Sequence, residues 1–371
     1  MYLFRLGREQ ELSRAELEAV FELYGWHVRV VVEQGPFFVV HITEDIDAAA
    51  LMSRLGGVVK IGKRVCERDD TGTIADYLEQ IQKEGKIIFS LSGNLDKRHG
   101  LAIKKELKQR GRSVRFVEAN NTATILHNNL VAFQTDLTVV NHTVFATAAI
   151  QPIEAFVERD YGRPKSDTKS GMLPPKLSRI LIHLSGIQPN QTMWDPFCGS
   201  GTILMEAAAM GFTHLLGSDN SQKAIDDAQK NMEWIVENEK KKKSFQLFVS
   251  DVRTAERFLK QGTVDAIISE PYLGKPLRGH EPRSFLEKQA EKLRQLYVAA
   301  FKTFFPVLKR HGVVLFIMPR FRLGDEWVRV NCVKDIARCG FSVQPFFPGK
   351  ESLFYYRPGQ KVGREIWRFA K

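Results

Sequence analysis

Only four cysteines occur in 371 residues (Cys66, Cys198, Cys332 and Cys339), and no two of them form a C-x-x-C pair. That scarcity excludes a disulfide framework and a thiolate zinc site, and leaves free thiols in a reducing cytosol as the expectation. No group of His, Cys and acidic residues has metal-ligand spacing, so no metal is expected. Long apolar runs are missing too: none approaches the roughly 18 residues that cross a bilayer. Acids at Glu9 and Glu11 argue against a signal peptide. Negative charge is in short supply, with 54 Lys and Arg against 43 Asp and Glu, a net charge of +11 that suits a polyanionic partner. What is present is globular. Hydrophobic residues at 43% and aromatics at 10% exclude a disordered chain, and the length allows two or three domains with their own cores.

The most informative stretch begins at Gln191 and reads Gln-Thr-Met-Trp-Asp-Pro-Phe-Cys-Gly-Ser-Gly-Thr-Ile-Leu-Met-Glu-Ala. An apolar lead-in ends at Asp195. Pro196 and Phe197 follow, then a small-residue turn through Gly199, Gly201 and Thr202, and a helix-forming run that stops at Gly211. This is the strand, glycine turn and helix of the first βα unit in a nucleotide-binding α/β sheet. The glycines let backbone approach a ligand where a Cβ would collide. The spacing is not G-x-G-x-x-G, which excludes a dinucleotide fingerprint. Asp-Pro-Phe-x-Gly-Ser-Gly-Thr instead resembles motif I of the amino-group methyltransferases that use S-adenosylmethionine (SAM).

Strands and helices alternate from Thr192, which indicates a doubly wound sheet. Leu215 to Asn220 reads as a strand ending in Asp219, 18 residues beyond Gly201 and close to the spacing of a ribose-binding acid. Capping of the helix that opens at Ser221 is the alternative use, compatible with ribose binding, which motif I favours. That helix, Gln222 to Val236, runs into the block Glu239–Lys243, expected to be a solvated loop rather than an RNA-facing patch. After a strand at Phe245–Val249, Ser250-Asp251-Val252 resembles motif III. The resemblance implies that Asp251 accepts from the adenine amino group and that the Val252 N–H donates to the ring.

A further apolar strand, Val264–Ile268, ends at Ser269-Glu270-Pro271-Tyr272-Leu273-Gly274. Amino-methyltransferases carry D/N-P-P-Y/F at this point, so Ser269 stands where the acid or amide belongs and Glu270 replaces the first proline. An amine conjugated to a purine is a poor nucleophile. Two acceptors must hold its N–H groups, turn its lone pair toward the methyl group and stabilise positive charge as it forms. Here the carboxylate is Glu270, the carbonyl that of Glu270 or Pro271, and the stacking ring Tyr272. The loop Lys275–Pro282, with Arg278 and His280, is expected to border the base pocket. A helix from Arg283 to Lys309 bent near Pro306, a strand Gly312–Met318, a helix Val328–Cys339 and a closing hairpin ending in Arg364–Phe369 complete this half.

Ahead of it, residues 1–70 read as a small α+β unit. Strands are expected at Tyr2–Phe4, Val28–Val32, Phe37–Val40 and Val58–Ile61, and helices after a Ser13/Glu16 capping box and at Ile46–Leu55. In residues 71–150 a helix Thr73–Lys83 and strand Lys86–Leu91 precede a basic helix Gly100–Gly111 bearing Lys104, Lys105, Lys108 and Arg110, with Arg112 beyond. Strands are expected at Val114–Val117, Ala123–Leu126 and Val139–Ala148. This order resembles a THUMP domain, with residues 1–70 as its ferredoxin-like partner. Residues 151–175 are read as a linker, polar across Arg159–Asp167. Its end, Gly171–Pro175, resembles the segment that closes over the methionine end of SAM through Met172, Leu173 and Pro174.

As a whole the chain resembles the THUMP-containing tRNA guanine-N2 methyltransferases that act at position 10. The implied architecture is α/β: a Rossmann-like SAM methyltransferase sheet over residues 176–371 behind an N-terminal α+β ferredoxin-like and THUMP half that binds tRNA. SAM is then the cofactor and the reaction gives N2-methylguanosine, with no covalent intermediate, because Cys198 lies in the SAM turn. A cytoplasmic monomer meets these requirements, and a small activating subunit is compatible with them. A DNA adenine-N6 methyltransferase uses the same two motifs, and a SAM- and RNA-binding protein inactivated at Ser269-Glu270 is the other alternative.

Overall fold

The computed structural model describes residues 1–166, 172–239 and 244–371. They group into two compact units, Met1–Arg14 with Gly25–Pro152, and Ala15–Tyr24 with Ile153–Lys371. Lys240–Lys243 of the lysine block, Asp167, and Gly171 at the head of the SAM-closing segment lie outside the described residues.

The strands of the first unit are β1 (Tyr2–Leu6), β2 (Val28–Gln34), β3 (Phe37–Ile42), β4 (Val58–Cys66), β5 (Ile87–Gly93), β6 (Val114–Phe116), β7 (Asp136–Val140) and β8 (Thr143–Ile150). Among the described residues they form one sheet in the order β2-β3-β1-β4-β8-β7-β5-β6. Pairing is antiparallel except where β5 runs parallel to β6 and β7. A polar network is buried inside it. Lys60 on β4 donates to Asp136 on β7 (2.5 Å), which also accepts from Ser90 (2.5 Å) and Thr147 (2.6 Å). An ammonium and a carboxylate exposed by 4% and 2% persist there because two hydroxyls besides the ammonium donate to the acid.

Several expected elements differ. The helix Gln10–Tyr24 starts ahead of Ser13, whose hydroxyl donates back to the Glu9 carbonyl (2.9 Å), so Ser13 is an interior residue and not a cap. Ala123–Leu126 lies in a helix, Thr122–His127, because Asn121 caps it by accepting from the Thr124 N–H (2.8 Å) and outweighs the β-branched residues. The polar segment from Arg159 begins inside a helix, Ile153–Tyr161. The basic helix spans Lys97–Gln109, and Arg110 beyond it is held by Asp76, Glu79 and Glu106, which leaves Lys105 and Lys108 exposed.

The second unit carries β9 (Thr192–Asp195), β10 (His214–Asp219), β11 (Ser244–Val249), β12 (Val264–Ser269), β13 (Leu308–Leu323), β14 (Glu326–Arg329), β15 (Ser342–Val343), β16 (Ser352–Tyr355) and β17 (Val362–Ala370). Among the described residues the order is β11-β10-β9-β12-β13-β17-β15, with β14 on β13 and β16 on β17. Strands β9 to β13 run parallel along this path, and β17 returns antiparallel. Val328 and Arg329, expected in a helix, pair instead with the long β13, and the helix is confined to Val333–Arg338. The helix Arg283–Val307 ends one residue past Pro306, and Lys309 already belongs to β13. Its Tyr297, Phe301 and Phe304 pack with Trp194, Phe316 and Phe369 into an aromatic core beneath the sheet. The order in which strands are added reverses between the parallel neighbours β9 and β12, and a doubly wound sheet opens its ligand crevice at the carboxyl ends of the strands flanking such a point.

Removing Asp136 strands a buried ammonium. Asp136→Ala is expected to cost about 3–5 kcal/mol, read as a fall in the urea midpoint at unchanged slope. An unmoved midpoint would contradict the structural weight given to this network.

Candidate active site

The loops after β9, β10, β11 and β12 carry the residues that the motifs singled out. At the end of β9, Asp195 is 1% exposed and accepts from the Ser269 hydroxyl at the end of β12 (2.6 Å) and from the Phe197 N–H (3.2 Å). Burial pushes its carboxyl up to about 7, against the pull of those two donors, with Asp219 and Glu270 adding like-charge repulsion. Pro196 is buried, and Phe197 sits edge-on to Phe316 at 6.4 Å.

The turn that follows depends on glycine. Gly199 (φ +51°) and Gly201 (φ +85°) are left-handed, and Gly201 opens the helix Thr202–Ala209. A Cβ at Gly199 would meet nothing within 4 Å, so the backbone there faces open space. Asp219 at the end of β10 holds the turn from the other side. One carboxylate oxygen accepts from the Gly199 N–H (3.0 Å) and the other from the Ser221 N–H (3.0 Å). Helix capping and turn support therefore both occur, and each oxygen retains a lone pair. Asn220 beside it is exposed.

Asp251 caps the short helix Val252–Arg257 and is gripped by the Arg253 side chain (2.9 and 2.5 Å). Those hydrogen bonds hold its carboxyl below the usual range. Its oxygens are thus engaged by a neighbour, while Val252 is buried.

At the end of β12 the residues take unlike places. Ser269 is fully buried and its hydroxyl is committed to Asp195. Glu270 forms a bidentate pair with Arg364 on β17, Nε to Oε1 at 2.5 Å and Nη2 to Oε2 at 3.4 Å. Burial opposes the Arg364 charge, and the attraction and hydrogen bond of Glu270 outweigh it, so the guanidinium is held above its ordinary range. Pro271 is buried, and the Tyr272 ring is 54% exposed. The Tyr272 carbonyl accepts from the Tyr297 hydroxyl (2.7 Å), which pins the loop backbone onto the long helix. Arg278 and His280 are exposed, in a loop where the Arg278 and Gly279 N–H groups donate to Glu281.

Residues with no local sequence signature also shape the site. Arg163 donates to the Thr202 hydroxyl (2.7 Å) and contacts the Met172 sulfur, and Leu173 is buried next to Met172 in sequence. Asn231, fully buried, donates to the Ser200 carbonyl (2.8 Å) and the Lys165 carbonyl (2.9 Å). Glu206, behind the turn, pairs with Arg159 (2.6 Å) and Arg179 (2.5 Å). Arg364 carried one hint: Arg364 and Glu365 are adjacent charges in the closing strand, and both are buried. Cys198 is no nucleophile, since burial pushes its thiol well above the ordinary value.

Asp195 makes stability depend on pH. Its native carboxyl titrates at about 7 rather than at 3.8, so the folded state holds the extra proton and the stability this gives fades as pH rises between those values. The urea midpoint of the wild type is expected to fall across that interval, and Asp195→Asn to flatten the slope. Parallel slopes for the two proteins would contradict a buried, proton-holding Asp195.

Residues 163–323 match the family model of the RMKL-like methyltransferase domain. The tRNA (guanine(10)-N2)-dimethyltransferase of Methanothermobacter thermautotrophicus is 33% identical over 104 residues, 28% of each chain. Its counterpart from Methanocaldococcus jannaschii is 30% identical over 107 residues, 28% of this chain and 29% of that one. The chain thus spans under a third of the length of these curated relatives. Among solved structures, TrmN from Thermus thermophilus aligns over 100% of this chain and 99% of its own, with a TM-score of 0.54 and 15% identity, a likeness of fold. The family match covers the glycine turn, Asp219, Asp251 and the Ser269–Tyr272 loop, so all of these lie in the stretch that is similar to an RMKL-like methyltransferase domain.

Proposed function

We propose that this chain methylates the exocyclic N2 amino group of a guanosine in tRNA, at position 10, with SAM as the cofactor. The observation that carries the reading is the meeting, at the carboxyl ends of β9, β10 and β12, of a glycine turn with its backbone open at Gly199, the acids Asp195, Asp219 and Glu270, and the loop that carries Tyr272. The names of the two archaeal relatives supply the nucleotide.

The residues present fit SAM. Gly199 leaves its backbone uncovered, as a close-lying ligand requires, and Asp219 keeps lone pairs for ribose hydroxyls. Asp195, Pro196, Phe197, Gly201 and Thr202 would form the floor, Asn220, Asp251 and Val252 the adenine side, and Met172 and Leu173 the cover over the methionine end. When bound, SAM supplies an electrophilic methyl group on a cationic sulfur. The chain's own part is to prepare the amine. Glu270 accepts one N–H, the carbonyl of Glu270 or Pro271 accepts the other, and the exposed Tyr272 ring stacks on the base. Ser269 contributes by holding Asp195. The amine proton leaves to Glu270 or to water. Residues 71–150, with 1–70, serve as the THUMP-like tRNA-docking half, supported by the net charge and the exposed Lys105 and Lys108. Residues 151–175 supply the link and cover, and 176–371 the catalytic sheet. The reading places the chain in the cytoplasm as a monomer on tRNA; among the described residues no helix is long and apolar enough to cross a membrane.

Transfer of labelled methyl from SAM to bulk unmodified tRNA, followed by nucleoside analysis, tests this. The label is expected in N2-methylguanosine, and Glu270→Ala is expected to lower the rate by roughly 100-fold with SAM binding retained. Label confined to DNA adenine, or SAM binding without transfer to any nucleic acid, would contradict the proposal.

A further inference from the structure

Glu270 does not stand alone at the proposed amine site. It is 13% exposed at the side chain and shares its pocket with an Arg364 side chain that is 8% exposed and comes from the far end of the chain. The pair is bidentate but unequal: Oε1 carries the short bond (2.5 Å) and Oε2 a long one (3.4 Å). One oxygen is therefore locked in place and the other retains most of its accepting capacity. Arg364 is itself fixed. It sits opposite Tyr355 on β16 and opposite Pro319 on β13, so its stem is walled on both sides by the sheet.

We propose that Arg364 is a positioning residue that holds Glu270 as an acceptor-only carboxylate, and that the pair thereby selects an amine flanked by a ring N–H, as in guanine, over an amine flanked by a ring lone pair, as in adenine. The argument rests on the methyltransferase reading above and adds the basis of its base choice. An ionised carboxylate has no proton to offer. The Watson–Crick edge of guanine presents N1–H beside the N2 amino group, two donors that one carboxylate can accept together. Adenine presents its N6 amino group beside a bare N1, which would face the carboxylate with lone pair against lone pair. An unmet buried acceptor of this kind costs far more than a lost methylene contact, and sites built on hydrogen bonds reject mismatched analogues by orders of magnitude. The acid stands one position beyond the usual motif, and there it reaches Arg364, while Ser269 donates to Asp195.

Single-turnover methyl transfer on unmodified tRNA, with SAM affinity measured separately by calorimetry, tests the assignment. Arg364→Ala is expected to lower the rate on guanine about 30-fold while SAM affinity stays within about twofold. Arg364→Lys should recover part of the loss, because it restores the charge without the fork. In a Glu270→Gln background, Arg364→Ala should cost less than about threefold more, because a residue acting through Glu270 has nothing left to position. Guanine-to-adenine discrimination should narrow in Arg364→Ala, measured on transcripts carrying adenosine at the methylated site. Full activity in Arg364→Ala, or additive losses in the double variant, would overturn the role of Arg364 and leave the guanine-N2 reading intact. A wild type that methylates adenine in place of guanine would overturn both.

Discussion

The site depends on one hydrogen bond, from Ser269 to the buried Asp195. Strands β9 and β12 are paired at only two rows, Met193 with Ala266 and Trp194 with Ile267. Their carboxyl ends, where a doubly wound sheet opens, are tied by the Ser269 hydroxyl. A hydroxyl suits this place because Asp195 is wholly buried with its carboxyl already pushed up to about 7. A second carboxylate at residue 269 would set two like charges together without water, which is the arrangement proteins avoid or neutralise. At this position, where the usual pattern is D/N-P-P-Y, the serine serves as a donor to the aspartate opposite it, and the carboxylate of this loop is Glu270, which Arg364 meets.

The second constraint is the turn itself. Two left-handed glycines cannot hold a defined shape unaided, since glycine restricts the backbone least. Here the turn is fixed from three directions: by Asp219 through the Gly199 N–H, by Asn231 through the Ser200 carbonyl, and by Arg163 through the Thr202 hydroxyl. The supports come from β10, from the helix Gln222–Glu239 and from the segment before the catalytic sheet. A binding surface made of backbone becomes rigid by borrowing side chains from elsewhere, as preorganised sites must.

Sequence made this half legible for a definite reason. Buried parallel strands read as apolar runs, so β9, β10 and β12 and their terminal acids stood out, and the turn had no other use for its glycines. Partners acting across the sheet did not stand out. Arg364 lies 94 residues beyond Glu270, Ser269 lies 74 beyond Asp195, and no periodicity links either pair. The N-terminal half was read less well because its cues were local and competing. Ala123–Leu126 has strand-like residues that a single asparagine cap converts to helix, and Ser13 has a capping pattern in a helix already begun. Arg159 looked like linker because its partner, Glu206, lies 47 residues away and is wholly buried.

The central claim is that SAM and the guanine meet at the reversal between β9 and β12. A crystal structure of the chain soaked with S-adenosylhomocysteine tests it most directly. The account predicts density over the Gly199–Gly201 turn, with the ribose hydroxyls on Asp219 and the sulfur directed toward the Glu270–Tyr272 loop. Density on any other face of the sheet, or a turn left empty at saturating ligand, would contradict it.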